Sequence, residues 1–376
     1  MLQGNWGTFQ HVQGWRLVRR FFVFCVFALL GCAAAVAQPA APTDVAQDDP
    51  TRMPRGFFTF VWENDKFAGT DKNYTNGNRI NFTRPSAEAG VSASIADMFL
   101  WGTQGNKRLL FNSWALGQSI YTPEDTQATA PLPGEHPYAG WLYGEASVIS
   151  ANLCRAPDET FHNCVRGAES IALQVGIVGP SAKGEVVQNN FHRLIGVNPA
   201  RGWANQLHDE VGVNVLYDRR WQWQRWDLGT IHGMTGPAML GVDLVPSYGW
   251  TAGNILTQAS AGLTIRLGTG LNEMDLPARV RPSTPGAGLF GGTGFAWYLF
   301  ASAEGRAVAH DIFLDGNTFH DSLSVDKRPF VADFQLGAVL RWNNLELTYT
   351  YVTRTEEFKT QGSAQQFGSV GITYRF

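Results

Sequence analysis

The C-terminal stretch sets what this chain can become. From Val370 to Phe376, the apolar side chains of Val370, Ile372, Tyr374 and Phe376 alternate with Gly371, Thr373 and Arg375. That is the period of two a β-strand imposes, because successive side chains leave opposite faces. The alternation recurs upstream. Leu345, Leu347, Tyr349 and Tyr351 are opposed by Glu346, Thr348 and Thr350, and Phe334, Leu336, Ala338 and Leu340 by Asp333, Gln335 and Gly337. Leu263, Ile265 and Leu267 oppose Thr264 and Arg266, and Trp297, Leu299 and Ala301 oppose Tyr298, Ser302 and Glu304. Beyond the N-terminal segment no apolar run is long enough to be a transmembrane helix.

A soluble sandwich also shows one apolar and one polar face, but its polar face is the wet outside. Here the polar face is rich in Gly, Ser and Thr and carries charges of both signs (Arg266, Glu304, Arg306, Asp333, Glu346), while aromatics gather near strand ends. That is the lipid-out, polar-lumen pattern of an outer-membrane barrel with aromatic girdles. Composition agrees: charged residues are 16% of the chain, aromatics 12% with 13 Trp, where a soluble domain carries about 25% charged residues. The terminal Phe376 is also of the kind that ends bacterial outer-membrane proteins. The expected fold is an all-β transmembrane antiparallel barrel of about 12 strands, over 57–64, 75–84, 109–120, 139–152, 168–178, 207–226, 238–251, 255–268, 295–310, 330–342, 344–355 and 366–376. An even number places both termini in the periplasm. Residues 64–75, 121–138, 179–206, 252–254, 311–329 and 356–365 are then expected on the outer face.

The N-terminus carries the export signal. Arg16, Arg19 and Arg20 precede an apolar run, and Ala35-Val36-Ala37 is a small-x-small cleavage site, so 1–37 reads as a signal peptide. A lipoprotein-like "LLGC" ending at Cys32 is the alternative. Residues 38–55, rich in Ala, Pro and Asp, read as a disordered leader before a barrel over 56–376. Cys154 and Cys164, ten positions apart in an exported chain, are expected to form a disulfide on the periplasmic side. Metal binding with His162 is the weaker reading, since the spacing matches no zinc pattern. A net charge of −3 gives no electrostatic case for nucleic acid.

Three polar stretches fall on the expected outer face. In the first, "ENDKFAGTDKNYTNGNR", Asn64, Asp65, Thr70, Asp71, Asn73 and Thr75 supply oxygen donors that suit a hard cation such as calcium, although Asn, Asp and Gly are also ordinary turn residues. The second is "GEHPYAGW". In the third, "GPSAKGEVVQNNFHRLIG", Val187, Phe191, Leu194 and Ile195 recur at helical spacing and form an expected docking face. Gln188 and His192, four apart, share an adjacent face. Histidine can take a proton from water near neutral pH.

Together "ENDKFAGTDKNYTNGNR", "YTPED", "EHPYAGWLYGEAS", "GIVGPSAKGEVVQNNFHRLIG" and "GWANQLHDE", in that order from Gly56 to Phe376, resemble the lipid A 3′-O-deacylase family of outer-membrane enzymes. The resemblance implies a twelve-stranded barrel whose rim faces the lipopolysaccharide leaflet and a calcium-dependent hydrolysis of the ester holding the 3′-acyloxyacyl group of lipid A. It implies His192 as the base, with Gln188 one turn before it. Asn64, Asp65 and Thr75 would organise Ca²⁺ and the oxyanion. The protein is expected to act as a membrane-embedded monomer.

The chain departs from the family at two points. An acid expected six residues after the histidine is Asn198, and a lysine expected near "YTP" has no counterpart among Thr122–Thr126. Glu210 is a loose candidate for the missing carboxylate. Two other functions stay open: an outer-membrane phospholipase, for which no serine with a suitable motif is found, and a passive porin, whose lumen Arg266, Glu304, Arg306, Asp333 and Glu346 would plug by pairing.

Overall fold

A computed structural model of the chain describes residues 55–69, 73–103, 108–153, 165–233, 236–271 and 294–376. The signal peptide, the leader up to residue 54, Thr70, Asp71 and the Cys154–Cys164 pair lie outside the described residues.

The strands are β1 (Phe57–Asn64), β2 (Asn73–Ser86), β3 (Arg108–Thr122), β4 (Ala139–Leu153), β5 (Val165–Val178), β6 (Glu210–Trp221), β7 (Gln224–Gly233), β8 (Gly236–Gly253), β9 (Leu256–Gly268), β10 (Phe295–Asp311), β11 (Phe330–Trp342), β12 (Leu345–Arg354) and β13 (Gln365–Arg375). Each pairs antiparallel with its neighbours, and β1 pairs with β13 from Phe57↔Arg375 to Asn64↔Gly368, closing the sheet. β6 and β7 both run along β8, from Asn214↔Gly253 to Gly233↔Gly236, so they are one stave with a break. The ring therefore has twelve staves.

That break corrects the single strand expected over 207–226. Between Arg220↔Ser247 and Gln224↔Leu244 one extra residue intervenes. There Gln222 leaves the ladder, and its amide donates to Asp243 Oδ2 (2.7 Å) and to the Leu271 carbonyl (3.0 Å).

The two faces separate as the alternation predicts. Phe58, Ile80, Trp114, Leu116, Val175, Leu263, Ile265, Leu299, Leu336 and Leu347 stand exposed on the outside. Near the termini the outer aromatics Phe82, Trp114 and Phe376 stack, with centroids 6.0–6.2 Å apart. The lumen phase is buried and paired: Arg79 with Glu145 (2.6 Å), Arg266 with Asp243 (2.9 Å), Arg354 with Asp333 (2.8 Å), Arg306 with Asp333 (3.3 Å) and Arg341 with Glu346 (2.8 Å). A charge taken out of water needs such a partner. At the rim opposite the termini (the far rim), α3 (Ile312–Asp315) fills the mouth: Phe313 stacks on Tyr121 at 4.2 Å, among Tyr74, Trp141, Tyr143 and Phe367. Two further helices, α1 (Val91–Phe99) near the termini and α2 (Gly184–Ile195) at the far rim, complete the fold.

Candidate active site on the outer wall

At the far rim the outer phase of β1–β3 turns polar. Asn64 shares its phase with exposed Phe58, Asn76 with Ile80 and Phe82, and Gln118 and Thr122 with Trp114 and Leu116. Trp62 Nε1 donates to Asn76 Oδ1 (2.9 Å), and Asn64 Nδ2 points at the same oxygen from 3.4 Å. Asn64 also caps the short turn Asp65–Ala68, its Oδ1 accepting from Lys66 N–H (2.9 Å). In that turn Asp65 is fully buried. The turn folds over β13, where Phe67 sits on Gly368: a Cβ there would lie 2.6 Å from Phe67 Cβ, so only glycine fits.

Thr75 reaches this face through a β-bulge. Tyr74 pairs with Tyr121 and Asn76 with Ile120, leaving Thr75 as the extra residue. A bulge re-aims a side chain, and the Thr75 hydroxyl meets that of outward-phase Thr122 at 2.8 Å. The bulge is pinned from the lumen side and across the closing seam. Tyr74 Oη donates to Glu63 Oε2 (2.8 Å), and Gln365 Nε2 on β13 donates to the Tyr74 carbonyl (2.8 Å).

The segment 179–209 folds back over the same wall. Ser181 N–H and Oγ donate to Asp209 (2.8 and 2.7 Å), and Gln118 Nε2 on β3 donates to the Ala182 carbonyl (2.7 Å). Helix α2 then runs along β3 and β4, with Val187 against Ile120, Tyr138, Ala200 and Trp203. Phe191 meets Trp62 edge-on at 5.7 Å, and Trp62 meets Phe67 at 4.9 Å, so one tryptophan joins the helix to the Asn64–Asp65 turn.

Val187 and Phe191 of the expected docking face pack as their spacing suggests, but the most deeply buried stripe of the helix is a polar one beside them. Leu194 is exposed, whereas Gly184, Gln188, Asn189 and His192 are buried. Burial of polar side chains requires partners, and the following loop supplies them. Trp203 Nε1 donates to Gln188 Oε1 (2.8 Å), and Asn189 exchanges two hydrogen bonds with the Ala200 main chain (2.8 and 3.2 Å). Gly196, at φ +75°, ends the helix and turns the chain so that Val197 N–H reaches the His192 carbonyl (2.8 Å). The next carbonyl, Asn198 O, then lies 2.9 Å from His192 Nδ1. A carbonyl only accepts, so Nδ1 is the donor, and in a neutral ring the lone pair is then on Nε2. The Asn198 side chain has no part in that bond, which lessens the weight of its departure from the expected acid. Gln188 Nε2, buried, has no protein acceptor among the described residues.

Asn64, Thr75, Gln188 and His192 thus belong to one patch of outer wall, with Asp65 in the turn that borders it. Glu210 is committed elsewhere: its carboxylate accepts from the Asn254 side chain and from Asn317, Thr318 N–H and Phe319 N–H. Trp62, Asn76, Thr122 and Trp203 escaped the sequence reading. Thr122, Asn76 and Trp203 each had a signal, their places in "YTPED", "ENDKFAGTDKNYTNGNR" and "GWANQLHDE".

Among the described residues no three His, Cys, Asp or Glu gather. The donors available are one carboxylate with amide and hydroxyl oxygens, a set that fits a hard cation.

A family model described as "Outer membrane protein LpxR" matches residues 22–376. No curated protein sequence matches the chain. Among solved structures, LpxR from Salmonella typhimurium aligns at a TM-score of 0.64 and 19% identity, covering 85% of this chain and 100% of that one. The β domain of the Bordetella autotransporter BrkA (TM-score 0.39, 8% identity, 86% and 99% covered) and the transport unit of AIDA-I from Escherichia coli (0.39, 10%, 89% and 93%) are more remote. A match over nearly the whole chain, on a barrel with this rim, makes the protein a member of the LpxR family of outer-membrane proteins.

Proposed function

We propose that the protein is a calcium-dependent esterase of the outer leaflet that removes the 3′-linked acyloxyacyl group of lipid A. The observation that carries this reading is the side on which the polar cluster stands. The helix that carries Gln188 and His192 lies over the outward phase of the wall. Its Phe191 meets Trp62, which is bonded to Asn76 next to Asn64, and the lumen behind this wall holds buried ion pairs such as Arg79–Glu145. A substrate dissolved in the leaflet reaches such a site sideways, without entering the barrel.

Asp65, Asn64 and Thr75 would hold the cation. When bound, Ca²⁺ supplies Lewis-acid polarisation of the ester carbonyl. His192 Nε2 takes a proton from water, whose oxygen attacks the carbonyl carbon. The same nitrogen returns the proton to the departing 3′-oxygen of the sugar, so the products are a carboxylic acid and a free hydroxyl. Gln188 Nε2 is a buried donor suited to the oxyanion that forms between these steps. The Asn198 carbonyl keeps the imidazole in the tautomer this requires.

Mass spectrometry of lipid A from cells producing the protein tests the reading. Loss of the 3′-linked chains is expected, abolished by a calcium chelator and by His192→Ala. Intact lipid A beside a correctly inserted barrel, or full activity of His192→Ala, overturns it.

A further inference from the structure

Helix α1 and the turn Trp101–Thr103 lie against the outer wall at the rim that carries the termini. The helix is inside out for a water-exposed element. Toward the wall it buries Ala93, Ala96 and then Leu100, against Leu110 and Val148 on the outer phase of β3 and β4. Ile95 packs part-buried on the same cluster, but the other large apolar residues face away: Val91 is 77% exposed, Met98 62%, Phe99 45%, and Trp101 in the turn 71%. A helix in contact with water places its apolar stripe against the protein and its polar residues outside. Contiguous exposed apolar surface marks a contact with membrane or protein.

The barrel also spends a buried carboxylate on holding this segment in place. Glu169, 1% exposed on the outer phase of β5, accepts from Gly102 N–H (3.0 Å), Thr103 N–H (3.1 Å), Thr103 Oγ1 (3.1 Å) and Tyr217 Oη (2.9 Å). At the start of the helix Ser92 Oγ donates to Asn112 Oδ1 (2.7 Å), and in its last turn Asp97 pairs with Arg108 (2.6 Å). The helix is fastened flat to the wall at both ends, with its apolar side out.

We infer that α1 is an interfacial helix whose outer face beds into the head-group and acyl boundary of the leaflet at this rim. Its occupant is lipid because the exposed face continues the lipid-facing surface of the strands it covers. Trp114 and Phe82, stacked at 6.2 Å, stand on that same phase of β3 and β2. Amphipathic helices bury their apolar face about 5–10 Å into such a boundary. The helix gives the barrel a fixed depth and a fixed tilt at this edge, independently of any reaction at the far rim.

The test is a nitroxide at Met98→Cys, with Val91→Cys as a second site, in the full chain reconstituted into phosphatidylethanolamine–phosphatidylglycerol vesicles. Collision rates with oxygen and with a water-soluble nickel chelate give depth. Leu336→Cys on the outer wall of β11 is the lipid control and Asp326→Cys at the far rim the water control. The unsubstituted protein, labelled alike, gives the background from native cysteines, and heat-modifiable migration shows that each variant is folded. The expected result is high oxygen and low nickel collision, at a depth of about 5–10 Å below the phosphates. Nickel access matching Asp326→Cys overturns the inference. So does a label shielded from both reagents, which would mean a protein partner covers the face.

Discussion

Two parts of the outer wall teach different lessons. Along β9–β12 the outward side chains run Ala259, Ala261, Leu263, Ile265 and Leu267, then Leu299, Ala301, Ala303 and Ala307, then Phe334, Leu336 and Leu340, then Leu345, Leu347 and Tyr349. This wall asks nothing beyond lipid. Along β1–β3 the same phase starts with Phe58, Phe82, Trp114 and Leu116 but ends at the far rim in Asn64, Asn76, Gln118 and Thr122, under the segment that carries α2. Each polar group removed from water without a partner costs about 1–3 kcal/mol, so stability alone gives no reason for the change. A barrel that needed only to stand in the membrane would have repeated the first wall all round.

The contrast can be broken in several places. The largest expected effect is His192→Ala, which lowers deacylation by about 10²–10⁴-fold, the usual worth of a positioned base, while heat-modifiable migration of the barrel stays unchanged. Asp243→Leu strands Arg266 in the lumen and destabilises the barrel by about 3–5 kcal/mol, read as a lower unfolding temperature in detergent. It marks the lumen as structural if activity per folded molecule persists. On the plain wall, Leu336→Lys costs about 2–4 kcal/mol of insertion and leaves the activity of inserted molecules intact. A smaller effect follows from Trp203→Phe. Gln188 Oε1 loses its donor, at a cost of about 1–3 kcal/mol for the orphaned group. This is expected to lower turnover with little change in folding, measured on purified enzyme and lipid A. The smallest effect is acid sensitivity at the far rim. Burial pushes the Asp315 carboxyl up, but hydrogen bonds from His310, Asp311 N–H and Lys327 outweigh it and hold the group below its ordinary value. A depressed carboxylate stabilises the fold above its unfolded pKa, and that contribution is lost as pH falls through the folded one. The loss therefore comes below about pH 4, and Lys327→Ala narrows it in melts taken against pH.

The twelve staves were legible because alternation is a local property. β1 and β11 fall where the pattern puts them, at Phe57–Asn64 and Phe330–Trp342. His192, Gln188, Asn64, Asp65 and Thr75 were legible as motif residues, but the face they share was not. Thr75 lies on the lumen phase of a regular β2, and only the extra residue opposite Tyr121 and Ile120 turns it outward. Pairing across strands is where that information lives. Helix α1 was hidden for a related reason: its fully buried contact positions are Ala93 and Ala96, while Val91, Met98 and Phe99 are turned away from the protein. Likewise the spacing of Val187, Phe191 and Leu194 finds two docking residues of α2 and one exposed one, but not its deeply buried polar stripe, which partners from Asn198 to Trp203 decide.

The clamp from Gln365 to the Tyr74 carbonyl bears on how the protein comes to life. It joins residues 291 apart in the chain, and the Phe67 turn rests on β13 as well. The ladders that join one stave to the next can zip in order of synthesis, whereas this corner exists only once the first and last strands have met. A half-inserted sheet can form the Thr75 bulge between β2 and β3, but it lacks the β13 contacts that brace that bulge and the Asp65 turn. On the function proposed above, closing the ring is also the step that completes the site.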